Sequence, residues 1–215
     1  MGAQESAQLS RPFAAVTAQS HDGPEGSNLN ANVLPTIVIV PGLRDHVPEH
    51  WQTLLEQKLS NAISVPRMER DKLSRAAWVA ALDRTLAAIE GPVILVAHSA
   101  GVMITVHWAQ GHGRPIHGAL LAAPPDFDSP LPEGYPTTDV LRENGWLPTP
   151  RARLPFPSIV AASTNDPLGR FERVAELAAA WGSRLVDVGA VGHLNPAAGY
   201  GEWTRAEAFI DELTR

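Results

Sequence analysis

The chain has 215 residues, enough for one domain with a substantial buried core. Its net charge of −6 argues against binding to nucleic acid or to acidic membranes. Because it contains no cysteine, a disulfide scaffold, a thiolate zinc site and a cysteine nucleophile are excluded. No apolar run reaches the roughly 18 residues that a membrane-spanning helix requires.

Residues 1–33 are polar and rich in Ser, Gln, Asn and Gly. Such a segment buries too little apolar surface to offset the entropy lost on ordering, so it is predicted to be a disordered tail. Residues 34–215 are predicted to form one domain. The tail has neither a basic start nor a continuous apolar stretch, as a secretory signal would, and we therefore expect a cytoplasmic protein.

From residue 36 onward, apolar runs alternate with segments of helical periodicity. This alternation is typical of a mostly parallel central sheet with helices on both faces. The strands are predicted over residues 36–40, 62–66 (at an edge), 93–97, 118–123, 158–162 and 184–188. The helices are predicted over residues 48–59, 72–89, 99–110, about 171–181, and 203–213. Residues 124–157 are crowded with prolines and predict a loop excursion.

Ser99 lies in LVAHSAG, between a predicted buried strand and a predicted helix. A nucleophilic serine at such a junction requires a strained turn, so the residues two positions away on each side must be small. They are Ala97 and Gly101, and Ala97 departs by one methyl group from the usual glycine. The N–H group of Ala100 would then face a developing oxyanion. The alternative is that Ser99 only caps the helix.

The first predicted strand ends in Pro-Gly-Leu, and Gly42 would let this backbone approach the site. We expect the N–H group of Leu43 to be the second oxyanion donor, with an ordinary strand-to-helix turn as the alternative. His50, which follows in the chain, is expected to pack or to cap a helix, with contact with the active site as the alternative. Trp51 is expected to lie in the core.

A serine nucleophile needs a histidine to accept its proton and a carboxylate to orient that histidine. His193 follows a strand in a loop that Gly189 and Gly192 free to bend, and Asp166 also follows a strand. Ser99, Asp166 and His193 occur in this chain order, each at the carboxyl end of a parallel strand, which predicts a catalytic triad.

Each assignment has alternatives. Asp166 precedes a proline and would also cap a helix, and His193 would also suit a surface loop. The rival acids are Asp126 and Asp187. The rival histidines are His98, His107, His112 and His117.

Four segments together resemble the small serine hydrolases akin to retinoblastoma-binding protein 9 and the bacterial YdeN group: VPGLRDHVPEHWQ, LVAHSAG, LPFPSIVAASTNDP and GHLNPAAGYGEW. The resemblance covers about residues 35–213. It implies an α/β-hydrolase fold with little or no lid, and a carboxylesterase-like or peptidase-like activity. It supports Ser99, Asp166 and His193 as the triad and assigns no role to Asn165.

We therefore expect acyl transfer from a small ester or amide substrate, with no metal and no cofactor. Phe127, Tyr135 and Trp146, in the proline-rich excursion, are expected to border a partly apolar pocket that favours small hydrophobic acyl groups. The main alternative is a catalytically silent α/β-hydrolase-fold module for protein interaction. Dehalogenation, which needs an aspartate at the position of Ser99, and haloperoxidation are further alternatives.

Overall fold

Six parallel strands form the central sheet of the computed structural model, which describes residues 34–44 and 46–215. The predicted tail over residues 1–33 lies outside the described residues. The strands run in the order β2-β1-β3-β4-β5-β6, so the predicted edge position of β2 is confirmed. Their bounds are β1 Thr36–Val40, β2 Ala62–Ser64, β3 Val93–His98, β4 Gly118–Ala122, β5 Ser158–Ala162 and β6 Arg184–Asp187.

Helices cover both faces of this sheet, as predicted. They are α1 Trp51–Lys58, α2 Arg75–Ala87, α3 Ala100–Ala109, α4 Thr138–Glu143, α5 Phe171–Trp181 and α6 Arg205–Thr214, with a short 3₁₀ helix at Pro196–Ala198. Side chains alternate along each strand, so Leu95 of β3 packs into the core beneath α2, α3 and α5. Its neighbours Ile94 and Val96 pack into the second core, beneath α1 and α6.

Capping residues explain where the helices begin. The predicted first helix starts at residue 48, whereas α1 starts at Trp51 because the side chain of His50 accepts a hydrogen bond from the N–H group of Gln52. The second starts at Arg75 rather than 72, because the Ser74 hydroxyl accepts from the N–H group of Ala77.

The proline-rich excursion contains α4, a helix of six residues that the sequence analysis did not predict. The expected position of Trp146 at the pocket is wrong. Its side chain is fully buried, its Nε1 donates to the carbonyl of Leu73 at 2.6 Å, and its ring packs against Phe127. Trp146 therefore anchors the excursion to the core instead of lining a binding site.

Helix α3 approaches β1 so closely that its second residue must be glycine. A Cβ atom on Gly101 would lie 2.1 Å from the carbonyl oxygen of Val40. This close packing brings the start of α3, and with it the turn at Ser99, against the segment that follows β1. None of the helices in the described part of the chain has the length and apolarity needed to cross a membrane.

Candidate active site

Ser99 lies at the turn between β3 and α3 with φ of 56° and ψ of −128°, a region that residues other than glycine rarely adopt. Its N–H group donates to the carbonyl of Ala122 at 3.0 Å, which fixes the turn to β4. The side chain makes no capping hydrogen bond with α3. Its hydroxyl instead lies 2.8 Å from Nε2 of His193.

The imidazole of His193 lies between Ser99 and Asp166. Its Nδ1 is 2.8 Å from Oδ2 and 3.0 Å from Oδ1 of Asp166. Because a carboxylate can only accept, Nδ1 carries the proton, and Nε2 is left to accept the Ser99 hydroxyl proton. Both side chains are buried, and the N–H group of Leu168 also donates to Oδ1 of Asp166 at 2.9 Å. The carboxylate is therefore held in place independently of the histidine.

Two polar side chains after β5 hold the loop that carries His193. Oδ1 of Asn165 accepts from the N–H group of Gly192 at 2.6 Å, and the Ser163 hydroxyl accepts from the N–H group of Val191 at 3.2 Å. The sequence analysis assigns no role to Asn165. This contact shows that its side chain holds the loop that carries His193. The sequence does contain a signal for this contact. Asn165 is a short polar residue next to Asp166, and the loop that carries Asp166 must reach the loop that carries His193.

His98, immediately before Ser99, is buried and contacts the same loop. Its Nε2 donates to the carbonyl oxygen of His193 at 2.8 Å, and the two ring centroids are 4.9 Å apart. Burial lowers the pKa of His98 well below its ordinary value, and the neighbouring His193 and His50 lower it further. His98 is therefore neutral at physiological pH and acts as a hydrogen-bond donor to the backbone of His193.

The rival acids have other partners. Asp126 accepts from Nε of Arg173 at 3.1 Å and from the Ser129 hydroxyl at 2.6 Å. Asp187, at the end of β6, accepts from the N–H group of Gly189. Of the three candidate acids, Asp166 is the one in contact with His193.

The three rival histidines other than His98 likewise have partners away from Ser99. His107 contacts the carbonyl of Trp146 and His112 that of Trp108. His117 lines a separate depression at the opposite end of β4. None of them contacts the described residues around Ser99 through a hydrogen bond.

The segment after β1 lies against the serine. A Cβ atom on Gly42 would be 3.2 Å from the Ser99 Cβ and 3.5 Å from its hydroxyl. Among the described residues, the N–H groups of Leu43 and Ala100 have no hydrogen-bond acceptor, and both residues line the pocket at Ser99. Nε2 of Gln52 donates to the carbonyls of Val40 and Val96, which holds the carboxyl ends of β1 and β3 together.

A pocket of about 310 Å³ opens onto Ser99 and His193. Phe127 and Tyr135 line it, as predicted from the sequence, and the guanidinium of Arg44 lies 5.5 Å above the Tyr135 ring. Most of the wall is apolar, and its leucine and valine residues are Leu43, Val47, Leu73, Leu131 and Leu168. Among the described residues, no cluster of three potential metal ligands occurs.

A parallel sheet with helices on both faces, and a serine on the strained turn after a central strand, define an α/β-hydrolase. A family model described as serine hydrolase matches residues 37–212. The chain therefore belongs to the serine hydrolase family, as the resemblance in the sequence indicated.

Solved structures agree with this assignment. A protein described as a YdeN-like hydrolase, from Pectobacterium atrosepticum, is 33% identical over 84% of this chain and 91% of its own, with a TM-score of 0.72. The ydeN gene product of B. subtilis is 18% identical, with coverage of 83% and 98% and a TM-score of 0.68. A monoacylglycerol lipase from Paleococcus ferrophilus is 13% identical, with coverage of 84% and 95% and a TM-score of 0.62. The last two show the fold alone, and comparison with curated proteins gives no match.

Proposed function

We propose that this serine hydrolase acts by acyl transfer, with Ser99 as the nucleophile, His193 as the general base and Asp166 as the residue that orients His193. The observation that carries the proposal is the unbroken line of contacts from the Ser99 hydroxyl through both nitrogens of His193 to Asp166. These contacts support the proposal, because acyl transfer needs the base within reach of the nucleophile and the carboxylate on the far side of the base.

In the first half of the reaction, Nε2 of His193 takes the proton of Ser99 as the hydroxyl oxygen attacks the substrate carbonyl carbon. The carbonyl oxygen becomes an oxyanion, which accepts hydrogen bonds from the N–H groups of Leu43 and Ala100. The imidazolium, stabilised by Asp166, then donates its proton to the leaving alcohol or amine. The carbon–oxygen or carbon–nitrogen bond breaks, and Ser99 is left as an acyl ester.

In the second half, a water molecule replaces the leaving group. His193 takes a proton from the water, whose oxygen attacks the acyl carbon, and the same two N–H groups bind the second oxyanion. Collapse of this intermediate returns the proton from His193 to Ser99 and releases a carboxylic acid. The cycle requires neither a metal nor a cofactor.

The substrate class we propose is a small carboxylic ester, with amides as a second candidate. The modest volume and largely apolar wall of the pocket support a short hydrophobic acyl group. The net charge of −6 supports a small-molecule substrate over nucleic acid. The cytoplasmic location expected from the sequence stays a prediction.

A chain-length series of p-nitrophenyl esters tests this function. We expect turnover to be highest with short acyl groups, such as acetate and butyrate, and to be lost in Ser99→Ala. Rapid quenching should yield an acyl adduct on the peptide that contains Ser99. Turnover that Ser99→Ala retained would contradict acyl transfer, and a maximum at long acyl groups would contradict the assigned substrate size. Absence of hydrolysis and of adduct would favour the protein-interaction module.

A further inference from the structure

His50 carries its proton on one particular nitrogen. It is the N-cap residue of α1, and its Nδ1 accepts a hydrogen bond from the N–H group of Gln52 at 3.2 Å. A ring nitrogen that accepts holds no proton, so in the neutral imidazole the proton is on Nε2. The structural role of His50 as a helix cap therefore fixes its other nitrogen as a hydrogen-bond donor.

The ring remains neutral in the physiological range. Burial, together with the smaller effect of the nearby His193, lowers the pKa of His50 to about 4. The titratable groups facing the ring are His98, with a centroid distance of 4.6 Å, and His193 beyond it. Protonation of His50 would place one positive charge beside another whenever His193 is an imidazolium, which disfavours the charged form during catalysis.

The largely buried ring of His50 borders the pocket. The ring forms part of the wall around Ser99, and no hydrogen bond joins its Nε2 to the described residues. Among the described residues, the fully buried side-chain nitrogen and oxygen atoms that lack a hydrogen-bond partner belong to Trp51, Arg75, Arg114 and Thr149. A side chain of the pocket wall therefore holds an N–H donor that has no hydrogen-bond partner among the described residues.

Several neighbouring polar groups in this wall already have hydrogen-bond partners. Gln52 donates to two strand carbonyls, and His98 donates to the carbonyl of His193. Oδ1 of Asn195 accepts from the N–H group of Ala198. Hydrocarbon placed against Nε2 of His50 would remove water from this donor without replacing the hydrogen bond, which is unfavourable.

We propose that Nε2–H of His50 donates to a second oxygen of the bound substrate, separate from the scissile carbonyl. The preferred esters then carry an ether, keto or hydroxyl oxygen in an otherwise apolar chain. This inference rests on the acyl-transfer function proposed above. It makes His50 a specificity-determining residue, in addition to its role as a helix cap.

Two variants separate the capping role from the substrate contact. His50→Asn keeps a good N-cap but is too short to present a donor at the position of Nε2, whereas His50→Ala loses both. We expect His50→Ala to have a lower Tm than His50→Asn, and both to lose about 3- to 10-fold in kcat/KM for an oxygen-containing ester. Full recovery of kcat/KM in His50→Asn would overturn the proposal, because capping alone would then explain His50.

An ester series tests the second oxygen directly. It consists of p-nitrophenyl hexanoate and analogues in which one methylene at a time is replaced by an ether oxygen. For each analogue, the ratio of its kcat/KM to that of the hexanoate is compared between wild type and His50→Asn, so that intrinsic reactivity cancels. At one chain position we expect this ratio to be about 3- to 10-fold higher in the wild type.

The possible failures are distinguishable. Equal ratios in the two enzymes at every chain position, with all esters hydrolysed through Ser99, would overturn the role of His50 and leave acyl transfer intact. Absence of hydrolysis together with absence of a Ser99 adduct would overturn both proposals.

Discussion

Gly42 and Ser99 lie in contact just beyond the carboxyl ends of two neighbouring parallel strands: a Cβ atom on Gly42 would be only 3.2 Å from the Cβ of Ser99. Glycine at this position lets the backbone after β1 reach the nucleophile. The N–H group of Leu43 follows directly, so any displacement of residue 42 displaces the proposed oxyanion donor as well.

Gly42→Ala is therefore expected to damage catalysis more than folding. A contact of 3.2 Å requires the loop or Ser99 to shift by a few tenths of an ångström, which misaligns the donor. We expect kcat/KM for a short ester to fall about 10- to 100-fold, while Tm changes little. Gly113→Ala is the matched control, because nothing lies within 4 Å of a Cβ atom at that position. Equal kinetics in the two variants would argue against an oxyanion role for this loop.

Asp166→Asn should preserve the fold and remove most of the activity. An asparagine still accepts from the N–H group of Leu168, but its amide would favour the wrong tautomer of His193. We expect kcat to fall by a factor on the order of 10⁴. Asp187→Asn, at the rival acid, serves as the comparison and should retain wild-type kcat. If Asp187→Asn were the impaired enzyme, the assignment of the acid would be wrong.

Asn165 is expected to act through His193 without contacting substrate. Asn165→Ala removes the acceptor of the Gly192 N–H group and loosens the loop, and water can replace part of this exposed hydrogen bond. We expect kcat to fall about 3- to 10-fold with KM nearly unchanged. Asn165→Asp keeps an acceptor oxygen and should restore kcat. A KM effect without a kcat effect would point to substrate binding instead.

Some residues of the candidate site could be predicted from the sequence and others could not, for physical reasons. Ser99, Asp166 and His193 follow strands of a parallel sheet, and the carboxyl ends of such strands meet at one edge. Their proximity was therefore predictable from strand positions alone. The contact of Asn165 with Gly192 depends on the path of two loops, which no local pattern specifies.

Two features of residues 124–157, the helix α4 and the position of Trp146, were not predicted for a related reason. Prolines correctly predicted irregular structure over residues 124–157, but Thr137 caps a short helix in a stretch without proline. The position of Trp146 in the excursion does not decide whether it lines the pocket, because large aromatic residues suit both cores and binding sites. Its hydrogen bond to the carbonyl of Leu73 places it in the core rather than in the binding site. Leu73 is distant in the sequence, so composition does not reveal such a contact.

Buried histidines should make the protein less stable in acid. The pKa of His107 is lowered from 6.5 to about 4, chiefly by burial, and those of His50 and His98 are also lowered. Between pH 6.5 and about 4 the unfolded chain therefore binds more protons than the folded one, so the free energy of unfolding decreases as the pH falls through this window.

This effect can be measured as Tm between pH 7.5 and 4.5. His107→Gln keeps a donor for the Trp146 carbonyl but cannot titrate, so its Tm should fall less over this range than that of the wild type. His117→Gln, at an exposed position, is the matched comparison. A wild-type Tm that stayed constant to pH 4.5 would contradict the burial of neutral histidines.

The most direct test of the proposed mechanism is labelling with a fluorophosphonate, followed by intact mass, for the wild type, Ser99→Ala and His193→Ala. A fluorophosphonate reports an activated serine without requiring knowledge of the natural substrate. We predict one stoichiometric adduct on the wild type, none on Ser99→Ala and much slower labelling of His193→Ala. Well-folded wild-type protein that gained no adduct, or an adduct that persisted in Ser99→Ala, would contradict the assignment of Ser99 as the nucleophile.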